Sequence, residues 1–271
     1  MVKTSFWGVV GLLLSFSFSV TATPLVPTPP CPVATLDNYL PPPILTFASA
    51  ALAVGAECNV GELGFRNFSF SGSGTGGAIP IQPSAITVTP FFSTGEGGPR
   101  ASLAFSSPGF SVTGNQSVIY MINYSIDPHP IIDRFFDELD ANSPVFPGIA
   151  SIGTNLCIGA AFQIGQSAQC SGIINAGPLA GQPAFGQNLN VFDNGTSSSK
   201  KFDSTSFPLV NFTGVRNTIQ LSANGQSSNF VRFINTAGYI PDTLSTPEPS
   251  SSALIGFGLV LLGVGRRRVS R

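Results

Sequence analysis

The chain has 271 residues, enough to bury a sizeable core, and only 9% of them are charged, against roughly 25% in ordinary soluble domains. Lys and Arg number 12 and Asp and Glu 13, yet Lys3, Arg266, Arg267, Arg268 and Arg271 lie at the extreme ends. Without those five, seven basic residues face thirteen acidic ones, about −6. That balance excludes nucleic acid and anionic lipid as partners of the body, since both need concentrated Lys and Arg.

At the N-terminus, Lys3 precedes an apolar stretch from Phe6 to Val20, followed by small residues ending at Ala22. A basic start, a short apolar run and small residues before a cut describe a secretory signal over residues 1–22, with cleavage after Ala22. The alternative is an uncleaved anchor. Either way the middle of the chain is exported into an oxidising place. Residues 23–34 form a Pro-rich spacer, and residues 35–240 the exported domain. Four cysteines suit that setting. They allow three connectivities, and the two sequence-local pairs, Cys31–Cys58 and Cys157–Cys170, are the expected ones. Zinc is the rival reading, but no pair is spaced Cys-x-x-Cys and the single His, His129, is near none of them.

Residues 35–56 hold a triple proline and a small-residue apolar stretch, the one candidate for a helix. From Leu63 onward, short runs of Phe, Val, Ile and Thr are punctuated by Gly, Pro, Asn and Ser. In SVIYMINYSI, Val118, Tyr120, Ile122, Tyr124 and Ile126 alternate, which places all five on one face of a strand. AITVTPFF at 85–92, TIQLSA at 218–223 and NFVRFI at 229–234 read similarly, with Asn-Gly turn signals at 194–195 and 224–225. IIDRFFDELDAN fits a helix through Ile131, Phe135 and Leu139 or an edge strand through Ile132, Arg134, Phe136 and Glu138. The prolines that bracket it favour the strand. Short strands without helical periods between them predict an all-β domain, a β-sandwich or jelly-roll-like architecture.

The motifs point away from catalysis. GSGTGG at 72–77 matches Gly-x-Gly-x-x-Gly, but Pro80 and Pro83 prevent the helix a dinucleotide site needs, so it reads as a turn and no cofactor is expected. His129 lies between two prolines, and no Gly-x-Ser-x-Gly elbow accompanies it. Asp127, Asp133, Asp137, Glu138 and Asp140 place five acids within fourteen residues. Asp133, Asp137 and Asp140 are therefore candidate calcium ligands, although the spacing fits no EF-hand loop and a solvated polar face explains them with less. Paired carboxylates for glycoside hydrolysis are a further possibility that sequence spacing does not decide. Asn67, Asn115, Asn123, Asn194 and Asn211 occupy Asn-x-Ser/Thr sites, which would carry glycans in a eukaryotic secreted protein.

The C-terminus settles the setting. Residues 241–252 are a linker containing Pro247-Glu248-Pro249; residues 253–271 are an apolar run with Gly256, Gly258 and Gly263, then Arg266-Arg267-Arg268. These three parts in this order resemble the PEP-CTERM sorting signal of Gram-negative-type bacteria. The resemblance implies recognition by an exosortase, a membrane-embedded peptidase-like enzyme, and delivery to the cell surface or its exopolysaccharide matrix. It argues against the glycan reading of the Asn sites and supplies no catalytic residues. LDNYL, CNVGELGFRNFSF and GYIP also resemble uncharacterised secreted proteins of that kind. The apolar run independently favours transit over permanent anchoring. Thirteen to sixteen helical residues reach about 20 to 24 Å, whereas a hydrocarbon core is about 30 Å thick. Together these features predict a single transmembrane sorting helix, with the arginines held in the cytoplasm and the body outside. The expected function is a non-enzymatic surface or matrix protein. A carbohydrate-binding module is the alternative, and a secreted hydrolase comes third.

Overall fold

The computed structural model describes residues 29–41, 57–95, 98–127, 131–140, 148–162, 170–174 and 179–240. Fourteen strands run through them: β1 (Ala34–Thr35), β2 (Cys58–Val60), β3 (Leu63–Thr75), β4 (Thr87–Gly95), β5 (Gly98–Ser106), β6 (Ser111–Gly114), β7 (Ser117–Asp127), β8 (Ile131–Asp140), β9 (Ile149–Ile158), β10 (Phe185–Asp193), β11 (Phe202–Val210), β12 (Thr213–Ser222), β13 (Gln226–Asn229) and β14 (Arg232–Ile240). One sheet has the order β1-β4-β5-β14-β8-β11, and a second the order β10-β9-β12-β7-β3-β2. A ribbon of β13 and β6 accompanies them. The strand pairs are antiparallel. The expected all-β sandwich-like fold is thus present. The signal peptide and the sorting helix fall outside the described residues, as does most of the helical candidate at 35–56, whose described part forms a short 3-10 turn at Leu36–Asn38.

Alternation decides which face meets the core. Val118, Tyr120, Ile122, Tyr124 and Ile126 of β7 are all buried, as their spacing predicts. Opposite them, Phe105 of β5 and Phe233 of β14 stack at 4.8 Å, and Phe105 reaches the Tyr124 ring at 6.2 Å across the sandwich. The IIDRFFDELD segment is a strand, β8, but not the expected edge strand: it pairs with β14 on one side and β11 on the other, with Phe135, Asp137 and Leu139 inward. NFVRFI is not one strand. Asn229 ends β13 and Arg232 begins β14, because Phe230 turns inward to stack on Phe110 at 4.3 Å.

The glycine run at 72–77 is strand through Thr75 and turn only at Gly76 and Gly77, both at positive φ. Glycine is required at position 74, where a Cβ would lie 2.1 Å from the Ala78 carbonyl oxygen as the chain doubles back. At Asn224-Gly225 both residues have positive φ (48° and 87°), the conformation of a type I′ turn, and here it carries the chain from β12 to β13.

Both expected disulfides form, Cys31–Cys58 and Cys157–Cys170, and the described residues contain no free cysteine. Pro30 bridges to Asn59, and Cys31 donates its amide to the Asn59 carbonyl at 2.9 Å. Part of the segment expected to be a spacer is therefore paired with β2. From there the chain crosses to β1, so the Cys31–Cys58 bond staples one edge of the sandwich, where both sheets end. Loop-closure entropy for its separation of 27 residues is worth about 3 to 4 kcal/mol. The double variant Cys31→Ser/Cys58→Ser should lower the urea midpoint accordingly, with a somewhat larger m-value because the unfolded chain without the cross-link exposes more surface. An unaltered midpoint would refute the staple.

Candidate functional site

Several sequence-derived site residues lie outside the described residues: Ala22 at the signal cut, His129, and the tail residues Pro247, Glu248, Pro249, Arg266, Arg267 and Arg268. The tail follows directly on β14, which ends at Ile240 in the middle of its sheet. No helix among the described residues is long and apolar enough to cross a membrane.

The three candidate calcium ligands do not converge. Asp133 sits at a bulge where Gly238 pairs with Arg134 and Tyr239 with Ile132. It accepts two hydrogen bonds from the Arg134 guanidinium, at 2.8 and 2.9 Å. Asp140 points outward and accepts from Arg232 Nε at 3.0 Å. Asp137 points inward and is buried. Among the described residues no cluster of three or more His, Cys, Asp or Glu side chains could hold a metal ion.

Asp137 ends a chain of hydrogen bonds that links the two sheets. The Thr154 hydroxyl of β9 donates to Asn217 Oδ1 at 2.8 Å. Asn217 Nδ2 of β12 donates to Asn235 Oδ1 at 2.8 Å, and the Tyr124 hydroxyl of β7 reaches the same oxygen at 2.9 Å. Asn235 Nδ2 of β14 donates to Asp137 Oδ1 at 2.7 Å, while Asp137 Oδ2 has no hydrogen-bond partner among the described residues. Burial raises the Asp137 carboxyl to about 7. The Thr154 and Asn235 side chains oppose that rise, and Asp203, its cross-strand neighbour on β11, adds to it. Burial likewise pushes the Tyr124 phenol well above its usual value, with the Asp137 charge acting the same way, so it stays a donor. This network joins the sheets but is closed to solvent, so no substrate reaches it.

An accessible pocket lies at one end of the second sheet. A pocket of about 640 Å³ is lined by Arg66, Asp127, Asn211, Phe212, the Gly159–Ala161 backbone, Gly172 and Ile173. Its parts follow from local folding. A bulge between Arg66 and Ser69, with Asn67 at φ 59°, interrupts the β3–β7 pairing and leaves Arg66 on the outer face near Asp127. Arg66 pairs with Asp127 and, at 3.6 Å, with Glu57; its guanidinium carbon lies 5.9 Å from the Phe212 ring centroid. Arg66 Nε is buried without a hydrogen-bond partner among the described residues. The opposite wall is backbone, because residues 159–162 lie flat on β12. Gly214 donates to the Ala160 carbonyl at 2.9 Å, and a Cβ there would come within 2.8 Å of that oxygen. Phe162 covers Arg216 at 4.6 Å, and the Cys157–Cys170 bond ties the far side of this lobe to β9.

Sequence reasoning did not find this pocket. Arg66, Asp127 and Phe212 are far apart in the chain and obey no spacing rule. Asn211 carried only a glycosylation pattern, and Asp127 was read as part of an acidic run.

Residues 245–269 match the family model for the PEP-CTERM protein-sorting motif. The chain carries a PEP-CTERM sorting motif. That motif implies export, sorting to the cell surface and processing by an exosortase. No curated protein matches the chain. Among solved structures, the complex of TmCBM61 with β-1,4-galactotriose is 7% identical and covers 62% of this chain and 83% of its own, at a TM-score of 0.23. A family 11 carbohydrate-binding module from Clostridium thermocellum is 9% identical over 63% and 88%, at 0.23. The enzymatically active domain of tailspike protein 4 from bacteriophage CBA120 is 12% identical over 64% and 19%, at 0.24. Superpositions this slight say nothing about the ligand or activity of this chain.

Proposed function

We propose that this is an exported, non-catalytic surface or matrix protein: a disulfide-stapled β-sandwich delivered by its PEP-CTERM tail. The observation that carries this reading is the sorting motif placed directly after the last strand. Six residues, 241–246, separate Ile240 from Pro247, a span of at most about 21 Å. A body on so short a tether stays at the outer face until the tail is processed. The domain organisation that follows is a signal over residues 1–22, the folded body, a linker carrying Pro247-Glu248-Pro249, and a transmembrane run with its arginine cluster from 253 to 271. In the native host, the mature protein is expected in the surface or matrix fraction, with an intact mass that lacks residues 1–22 and the arginine cluster. A mature mass that retains both ends, in the cytoplasmic fraction, would overturn the reading.

A second reading, binding of the surrounding polysaccharide, is favoured by the pocket at Arg66 and Phe212. It combines a carboxylate, a guanidinium, an amide and a ring face, the kinds of group that recognise a polar ligand with an apolar side.

A further inference from the structure

We propose that the pocket between Arg66, Asp127, Asn211 and Phe212 binds a neutral sugar unit with adjacent hydroxyl groups. This deepens the polysaccharide-binding reading and rests on it.

Charge selects the ligand class first. Among the described residues, the only charged side chains in the lining, Arg66 and Asp127, are paired with each other. An anion would have to take the guanidinium from Asp127, and a cation would have to take the carboxylate from Arg66. A hydroxyl can donate to the carboxylate and accept from the guanidinium while leaving the pair intact. Two neighbouring hydroxyls match this fork, one accepting from the Arg66 guanidinium and one donating to the Asp127 carboxylate, both of which are part exposed. Asn211 supplies one further donor and acceptor at the rim.

Shape selects next. The half-buried Phe212 ring forms one wall and the Gly159–Ala161 backbone another. A sugar ring has a C–H face for the aromatic wall and an equatorial rim of hydroxyls for the fork. A volume of about 640 Å³ lies in the range that takes small ligands. The Cys157–Cys170 bond and the glycine contact at 214 hold the backbone wall in place before any ligand arrives, which limits the ordering cost of binding.

The test uses the full-length protein purified in detergent, titrated calorimetrically with dextran, mixed-linkage β-glucan and galactan as neutral probes and alginate as a polyanion. Binding to at least one neutral probe and none to alginate is expected. Asp127→Asn and Phe212→Ala should each weaken that binding about tenfold or more, while Phe202→Ala, on the outer face of the other sheet, leaves it unchanged. Circular dichroism checks that each variant is folded. Should Asp127→Asn not fold, Asn211→Ala decides, since it touches only the rim. The proposal is overturned if no neutral probe binds, if alginate alone binds, if folded Phe212→Ala or Asn211→Ala binds like wild type, or if Phe202→Ala abolishes binding. These outcomes are independent of localisation. A protein that binds dextran but stays inside the cell would overturn the export reading and leave the pocket standing.

Discussion

Between about pH 5 and pH 8 the wild-type protein is expected to lose roughly 2 to 3 kcal/mol of stability, or about 5 to 10 °C in Tm, while Asp137→Asn stays flat. The carboxyl of Asp137 lies near 7 in the folded protein and near its ordinary 3.8 when unfolded. Between those values the folded state holds a proton that the unfolded state has released, so stability falls as pH rises through the window. Across the whole window the loss is up to about 4 kcal/mol. It is absent below the unfolded value and complete above about 7. This slope is opposite to that of most paired carboxylates. Asp193 and Asp203 show the ordinary sign. Burial raises each, but hydrogen bonds and Lys201 or Lys200 lower each further, so their contributions are lost only below the ordinary carboxylate range and do not mask the effect. Asn at position 137 keeps an oxygen for Asn235 Nδ2 and removes the titration. Thermal melts of both proteins from pH 5 to 8 decide the matter. Parallel curves would mean that Asp137 does not titrate there.

Glu248→Ala is expected to give near-complete accumulation of unprocessed, membrane-bound precursor in the native host. The substitution removes the one charge of Pro247-Glu248-Pro249 and leaves the hydrophobicity and arginines of residues 253–271 unchanged. Each arginine costs roughly 2.5 to 3.5 kcal/mol at the bilayer centre on the insertion scale, so the cluster stalls export with the motif near the outer face. A simple anchor would tolerate the loss of Glu248, whereas a processed address would not. If wild type and variant both keep residues 253–271 at maturity, the tail anchors and does nothing more.

What could be seen in the sequence was local. The alternation at Val118–Ile126 fixed a buried face because a period of two has one solution once one side is apolar. Pro130 and the following Asn-Ser-Pro gave β8 its type, and short separations gave the two disulfides. The interior network and the pocket were hidden because each joins residues far apart in the chain: Asp137 with Asn235, Tyr124 with Asn235, Arg66 with Asp127. The acids of β8 looked like one cluster in the sequence. A bulge at Asp133 and the strand pleat give Asp133, Asp137 and Asp140 three different surroundings.

The strand that leads into the tail is not an edge strand. β14 pairs with β5 over seven residue positions and with β8 over nine. If the mature protein is held by its C-terminus in a matrix that flows or stretches, drag on the body is transmitted through Ile240 along the axis of β14. Its hydrogen bonds to both neighbours run across that axis, so they are loaded in shear and must break together. An edge strand pulled sideways would instead peel one bond at a time. The order of strands in this sheet therefore makes the point of attachment the mechanically resistant part of the molecule.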